Sequence, residues 1–151
     1  MKTTQKSVRQ KGTAIVEFAL ILPLLLLLTC ITTEFGRAMF QYNTITKSVR
    51  DAVRYLSLQT PGTHIAEAQN LVVYGNTAGT GTPLVLGLTL SNVLTPTWQT
   101  AGSNPLINTV KITVSGYKFV PLYGSVFGVA FADATGKISY SNISATMRSS
   151  I

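Results

Sequence analysis

The chain is poor in the residues from which catalytic chemistry is usually built. Cys30 is its single cysteine, His64 its single histidine, and five acidic residues are spread over 151 positions. Cys30 lies inside an apolar run, so the rest of the chain can form neither an internal disulfide nor a thiolate metal site. Beyond Leu58 the acids are Glu67 and Asp133 alone. That leaves no paired carboxylates at acid–base spacing and no His/Cys/Asp cluster for a metal. A Gly-x-Ser-x-Gly nucleophile turn is missing. The glycines of residues 75–83 have no Gly-Lys-Ser/Thr after them, so they read as a loop and not as a phosphate cradle. His64 reads as a solvated residue near a helix start. No enzyme activity, cofactor, metal or small-molecule substrate is expected.

Charge is scarce too, at 11% of residues against roughly 25% in soluble domains. The formal net charge of +7 is concentrated at one end, because Lys2, Lys6, Arg9 and Lys11 precede Gly12 with no acid among them. After Gly12, eight basic and five acidic residues remain, a net of +3. No basic stripe is interleaved with aromatic residues, so a nucleic-acid partner is not expected.

What the sequence does have is a long apolar run. Residues 13–33 would form a helix of about 31 Å, enough to cross a bilayer core. Within it, residues 18–33 carry no charge, so Glu17 stands alone at the edge of a membrane-length segment. A carboxylate there costs about 2.5–3.5 kcal/mol on insertion scales and calls for a partner. The basic leader favours a cytoplasmic N-terminus. A cleaved secretory signal would want small residues after the apolar core, and Thr29-Cys30-Ile31-Thr32-Thr33-Glu34 fits that poorly. A lipid-anchoring signal at Cys30 would follow Leu27-Leu28-Thr29, a loose match, and both readings leave Glu17 unexplained. Pro23 removes one helical hydrogen bond and should bend the helix.

The helical spacing continues past the membrane segment. Phe35, Met39, Tyr42, Ile45, Val49, Ala52 and Leu56 recur every three or four residues, with Arg37, Gln41, Thr44, Ser48, Asp51 and Tyr55 on the other face. Lys47 and Asp51 are one turn apart and able to pair. Gly36 should loosen the helix where it leaves the membrane, and Thr60-Pro61-Gly62 ends it. The apolar stripe must rest on a globular domain or on other subunits.

Two sets of residues carry a resemblance. Gly12-Thr13-Ala14-Ile15-Val16-Glu17-Phe18 resembles the peptidase site of type IV prepilins and their pseudopilin relatives. Gly36-Arg37-Ala38-Met39-Phe40-Gln41-Tyr42, followed by Thr46-Lys47-Ser48-Val49-Arg50-Asp51-Ala52-Val53-Arg54-Tyr55-Leu56, resembles the N-terminal region of TadE-like proteins. Those are minor pseudopilins of the tight-adherence (Flp) pilus system of bacteria. The likeness covers roughly the first 60 residues. Tyr117-Lys118-Phe119-Val120-Pro121-Leu122 and Ala145-Thr146-Met147-Arg148 are similar more weakly. The resemblance implies a leader over residues 1–12, cut between Gly12 and Thr13 by a prepilin peptidase. It implies that Glu17 pairs with the freed amine of its own or a neighbouring subunit. The implied partners are other pseudopilins or pilins, the pilus assembly platform and membrane lipid. The implied location is the bacterial inner membrane, single-pass, with residues 61–151 in the periplasm or in a pilus.

In that outer part, Thr63 is placed to cap a helix ending near Tyr74, with Gly75 as its stop. Residues 88–94 suggest a strand. Residues 109–119 form the best one, with a parity change at Ser115-Gly116 that suggests a bulge. A last strand over 137–147 changes parity near Asn142. Residues 121–134 read as a short helix or a contact loop. The expected fold is α+β and pilin-like: a long helix, transmembrane over 13–33 and amphipathic over 34–60, packed on a small, mainly antiparallel sheet. Two rival roles remain at this point. One is an uncleaved single-pass membrane-anchored binding module using residues 117–131, and the other an adhesin released after the apolar run.

Overall fold

The computed structural model describes residues 10–150. Lys2, Lys6 and Arg9 of the leader lie outside the described residues, and of Lys11 the backbone alone is described.

A single helix, α1 (Gln10–Ser57), runs for 48 residues, about 70 Å at 1.5 Å per residue. It passes through Pro23 and Gly36 without a break, so neither residue ends the helix. Thr29, Thr32 and Thr33 return their hydroxyls to carbonyls one turn back, at 2.8 Å each. This pairing removes three side-chain donors from an otherwise apolar environment. Towards the N-terminus of α1, residues 12–26 are all exposed. Among the described residues it is the one helix long and apolar enough to cross a membrane.

The C-terminal half of α1 is a wall of the outer domain. A turn at residues 58–64 leads into α2 (Ile65–Tyr74), which packs back against α1. The capping differs from expectation. His64, with φ of 56°, holds the N-cap position without a side-chain cap, and Thr63 instead donates its hydroxyl to the Thr60 carbonyl at 2.7 Å. Thr63 is occupied by the turn that reverses the chain, which puts the cap one residue later. Gly75 closes α2 as expected: its φ is 73° and its N–H reaches the Leu71 carbonyl at 3.1 Å.

Seven strands follow among the described residues. β1 (Thr97–Ala101), β2 (Ile107–Val114) and β7 (Ile143–Arg148) form an antiparallel sheet in the order β1-β2-β7. β3 (Lys118–Phe119) pairs with β6 (Ile138–Ser139), and β4 (Ser125–Val126) with β5 (Val129–Ala130). Val110, Ile112 and Val114 of β2 point at α1 and are buried, while Lys111 between them is exposed. This is the period of two of a half-buried strand.

The expected strand over 109–119 is therefore two strands. At Ser115-Gly116 the chain does more than bulge: Gly116 takes φ of 69° and β3 leaves for a separate two-stranded sheet. The parity change near Asn142 likewise separates β6 from β7. Residues 88–94 hold a short 3-10 helix (Leu90–Asn92) and one isolated bridge, Val93 to Val114, in place of a strand. Residues 121–134 hold the β4–β5 hairpin and no helix.

The core is one cluster in which Ile45, Val49, Ala52, Val53 and Leu56 of α1 meet Ala68, Val72 and Val73 of α2 and the inner face of β2. A domain of this size without disulfides depends on such a core, and here α1 supplies one whole side of it.

Candidate processing and assembly site

Gly12, Thr13 and Glu17 sit in the first turns of α1, and Thr13 and Glu17 are both exposed. They are four positions apart in the sequence, so they lie one turn apart on the same face. Among the described residues none hydrogen-bonds to the Glu17 carboxylate. Gly12 is helical with nothing within 4 Å of where a Cβ would stand. A glycine there weakens the helix by about 1 kcal/mol relative to alanine. The bond after Gly12 thus lies in a turn of α1 that a glycine weakens.

Further along, the residues read from the sequence as one packing stripe divide into two groups. Ile45, Val49 and Leu56 are fully buried. Phe35, Met39 and Tyr42 are 67%, 44% and 38% exposed, which leaves a large apolar area on the 35–42 stretch of α1. They border a groove of about 340 Å³ between α1 and Phe131, Ile138 and Tyr140. The face of α1 that meets the outer domain at this level consists of Glu34, Arg37, Ala38 and Gln41, of which Arg37 and Gln41 read from the sequence as solvent-facing.

The physical reason is that the domain presents polar groups there. Tyr117, buried between α1 and the 85–88 segment, donates its hydroxyl toward Gln41 Oε1 at 2.6 Å and the Leu86 carbonyl at 2.9 Å. Tyr140 donates to the Ala38 carbonyl at 2.7 Å. Both need acceptors once buried, and Gln41 together with the helix backbone provides them. Burial, with Tyr140 adding to it, pushes the Tyr117 hydroxyl up to about 12, and burial raises Tyr140 as well. Tyr42, Tyr117, Tyr140 and Phe119 form an aromatic cluster, with Tyr42 and Tyr140 edge-to-face at 5.8 Å and Tyr117 and Tyr140 at 5.5 Å.

At the Glu34 end of this contact is a clamp that sequence reasoning missed. Glu34 is the first charged residue after the uncharged run, and it is 5% exposed. Arg37 Nη1 donates to both of its oxygens, at 3.2 and 2.9 Å, and the Leu122 backbone N–H donates to Oε1 at 2.9 Å. The Arg37 guanidinium lies 5.4 Å from the centre of the Phe119 ring. The i, i+3 spacing of Glu34 and Arg37 is a signal available in the sequence, whereas the partner 88 residues away is not. Lys47 and Asp51, spaced for a pair, form none; the ion pair within α1, among the described residues, is Glu34–Arg37.

No curated protein and no solved structure matches the chain. The TadE-like protein family model matches residues 12–54. That span begins at Gly12, contains Glu17 and the Glu34–Arg37 clamp, and ends within the buried stripe. Over residues 12–54, the segment that joins its apolar helix to its outer domain, this chain is similar to the TadE-like proteins.

Proposed function

We propose that the protein is a minor pseudopilin of a tight-adherence pilus, cut by a prepilin peptidase between Gly12 and Thr13 and assembled through its apolar helix. The TadE-like match associates the chain with the tight-adherence pilus system in general. The single-pass helix gives a membrane anchor of the right length. The observation that carries the finer reading is the exposed stretch 12–26 of α1, with an exposed carboxylate one turn after Thr13. Cleavage would place a positive amine on Thr13. Glu17 would then have a partner of opposite charge one turn away or on an adjacent helix. The cost of a lone carboxylate in lipid makes that pairing favourable. The leader remains cytoplasmic and residues 61–151 face the periplasm, in keeping with the basic residues before Gly12. In this role the chain is a peptidase substrate and a structural subunit, with other pseudopilins and the assembly platform as partners.

Replacing Glu17 by alanine tests the assembly step separately from the cleavage step. Cleavage should proceed, because Gly12 and the leader are untouched. Co-purification with the pilus partners should fall on the order of tenfold, the consequence of losing a pairing worth about 1.4 kcal/mol. A Glu17→Ala chain that is cut and still co-purifies at the normal level would contradict the role given to Glu17.

A further inference from the structure

Residues 119–132 carry no charged side chain, yet most of this stretch is not in the core. Leu122 is 65% exposed, Tyr123 48%, Phe127 66% and Val129 44%. These side chains belong to the β4–β5 hairpin and its entry, and the base of that hairpin is fixed to α1 at one height. The Leu122 N–H is bonded to Glu34, and the neighbouring Phe119 ring lies beside Arg37. Glu34 directly follows the uncharged run 18–33. With residues 13–33 across a bilayer core of about 30 Å, position 34 falls where hydrocarbon gives way to headgroups. The hairpin is held at that level.

From this placement we propose that the 122–130 hairpin is an interfacial membrane anchor, seating Leu122, Tyr123, Phe127 and Val129 in the headgroup region of the bilayer that α1 crosses. The inference rests on α1 spanning the membrane.

Three features fit lipid as the occupant. The apolar surface is continuous with the lipid-facing helix, since the groove under Phe131 begins at Ile31, inside the apolar run. Aromatic and aliphatic side chains with a tyrosine among them are what the membrane interface selects. The charge pattern is compatible with anionic headgroups: Lys118 flanks the stretch on one side and is exposed. On the other side, Asp133 is engaged by its own turn, through the Thr135 hydroxyl at 2.6 Å and the Thr135 and Lys137 N–H groups at 2.8 and 3.1 Å.

The tip of the hairpin supports the same conclusion. Its two-residue turn is Phe127-Gly128, with φ of 50° and 80°. A turn with both central residues at positive φ prefers Asn-Gly or Asp-Gly, and a phenylalanine there is strained. The strained ring is two-thirds exposed and returns little packing within the chain. A phenylalanine at this tip is accounted for by an apolar medium outside it.

Depth-dependent fluorescence quenching on the full chain in phosphatidylcholine/phosphatidylglycerol vesicles tests the proposal. In a Trp98→Phe background, a single tryptophan is placed by Phe127→Trp, Leu106→Trp or Leu25→Trp. Leu106 lies in the β1–β2 loop, toward the Ser57 end of α1, and Leu25 within the apolar run. Lipids brominated near the headgroup end of their acyl chains should quench the Phe127→Trp chain at least about twofold more than the Leu106→Trp chain, and lipids brominated near the bilayer centre should quench it less. The Leu25→Trp chain should be quenched most by the central bromines. Quenching of Leu25→Trp with none of Phe127→Trp overturns the interfacial anchor alone, whereas no quenching of Leu25→Trp removes the spanning helix beneath it. Blue-shifted Phe127→Trp emission that bromine does not quench also overturns the proposal, because it assigns the hairpin to a protein partner such as a second copy. If replacing Trp98 perturbs the fold, a nitroxide at Phe127→Cys in a Cys30→Ser chain reads the same depth.

Discussion

Leu56→Ala should unfold the outer domain at a much lower denaturant concentration while leaving the chain in the membrane. Leu56 has no exposed surface and belongs to the cluster in which α1, α2 and β2 meet. Removing three buried carbons from such a site costs about 2–5 kcal/mol, the transfer term plus the cavity left behind. A domain stability of about 5–15 kcal/mol does not easily absorb that loss. Phe35→Ala removes more surface from the same helix but should change stability by less than about 0.5 kcal/mol, because Phe35 is mostly exposed. Urea titration of the reconstituted chain, followed by Trp98 emission, measures both. Equal midpoints for the two variants would contradict the division of the stripe into a core half and a free half. The apolar stretch 13–33 is unchanged in both variants, so membrane insertion should not differ between them.

Glu34→Ala should free the hairpin base from α1. Its carboxylate is the shared acceptor for the Leu122 N–H and for Arg37, and deleting it leaves a backbone donor and a guanidinium without their partner. The cost is about 1–3 kcal/mol. The lower part of that range applies, since the Arg37 side chain is 29% exposed and rehydrates. Glu34→Gln keeps an acceptor for Leu122 but loses the charge, so it should fall between the wild type and Glu34→Ala. Amide hydrogen exchange at Leu122 reads this directly, speeding up roughly in proportion to the opened fraction, by about tenfold for each 1.4 kcal/mol. An unchanged exchange rate at Leu122 in Glu34→Ala would show that the clamp does not hold the hairpin.

The parts of the molecule written in a strong period were legible in the sequence. The length of α1, its uncharged stretch and the alternation of Val110, Ile112 and Val114 each follow from patterns of 3.6 or 2 residues. The breaks at Ser115-Gly116 and near Asn142 were visible as parity changes, but their consequence, a second small sheet, depends on which strands pair across the chain. β1 was not visible because Trp98 is flanked by threonine and glutamine, with no alternation to follow. The hairpin at 125–130 was hidden because its turn is Phe-Gly and not a favoured turn pair. The face that α1 turns to the domain was misread near the membrane for a related reason. Periodicity assumes that apolar residues face inward, whereas Tyr117, Tyr140 and the Leu122 N–H require polar partners from Gln41, the Ala38 carbonyl and Glu34. Of the proposed site, Gly12, Thr13 and Glu17 draw attention in the sequence because a lone acid beside a membrane-length run is conspicuous. The Glu34 clamp was not, since half of it lies 88 residues away.

Intact mass and N-terminal sequencing of the protein, made in cells with and without the prepilin peptidase, tests the central claim most directly. The account predicts a chain beginning at Thr13 when the peptidase is present and a full-length chain when it is absent. A chain that keeps Met1 in the presence of the peptidase, or one that begins near Cys30, would contradict it.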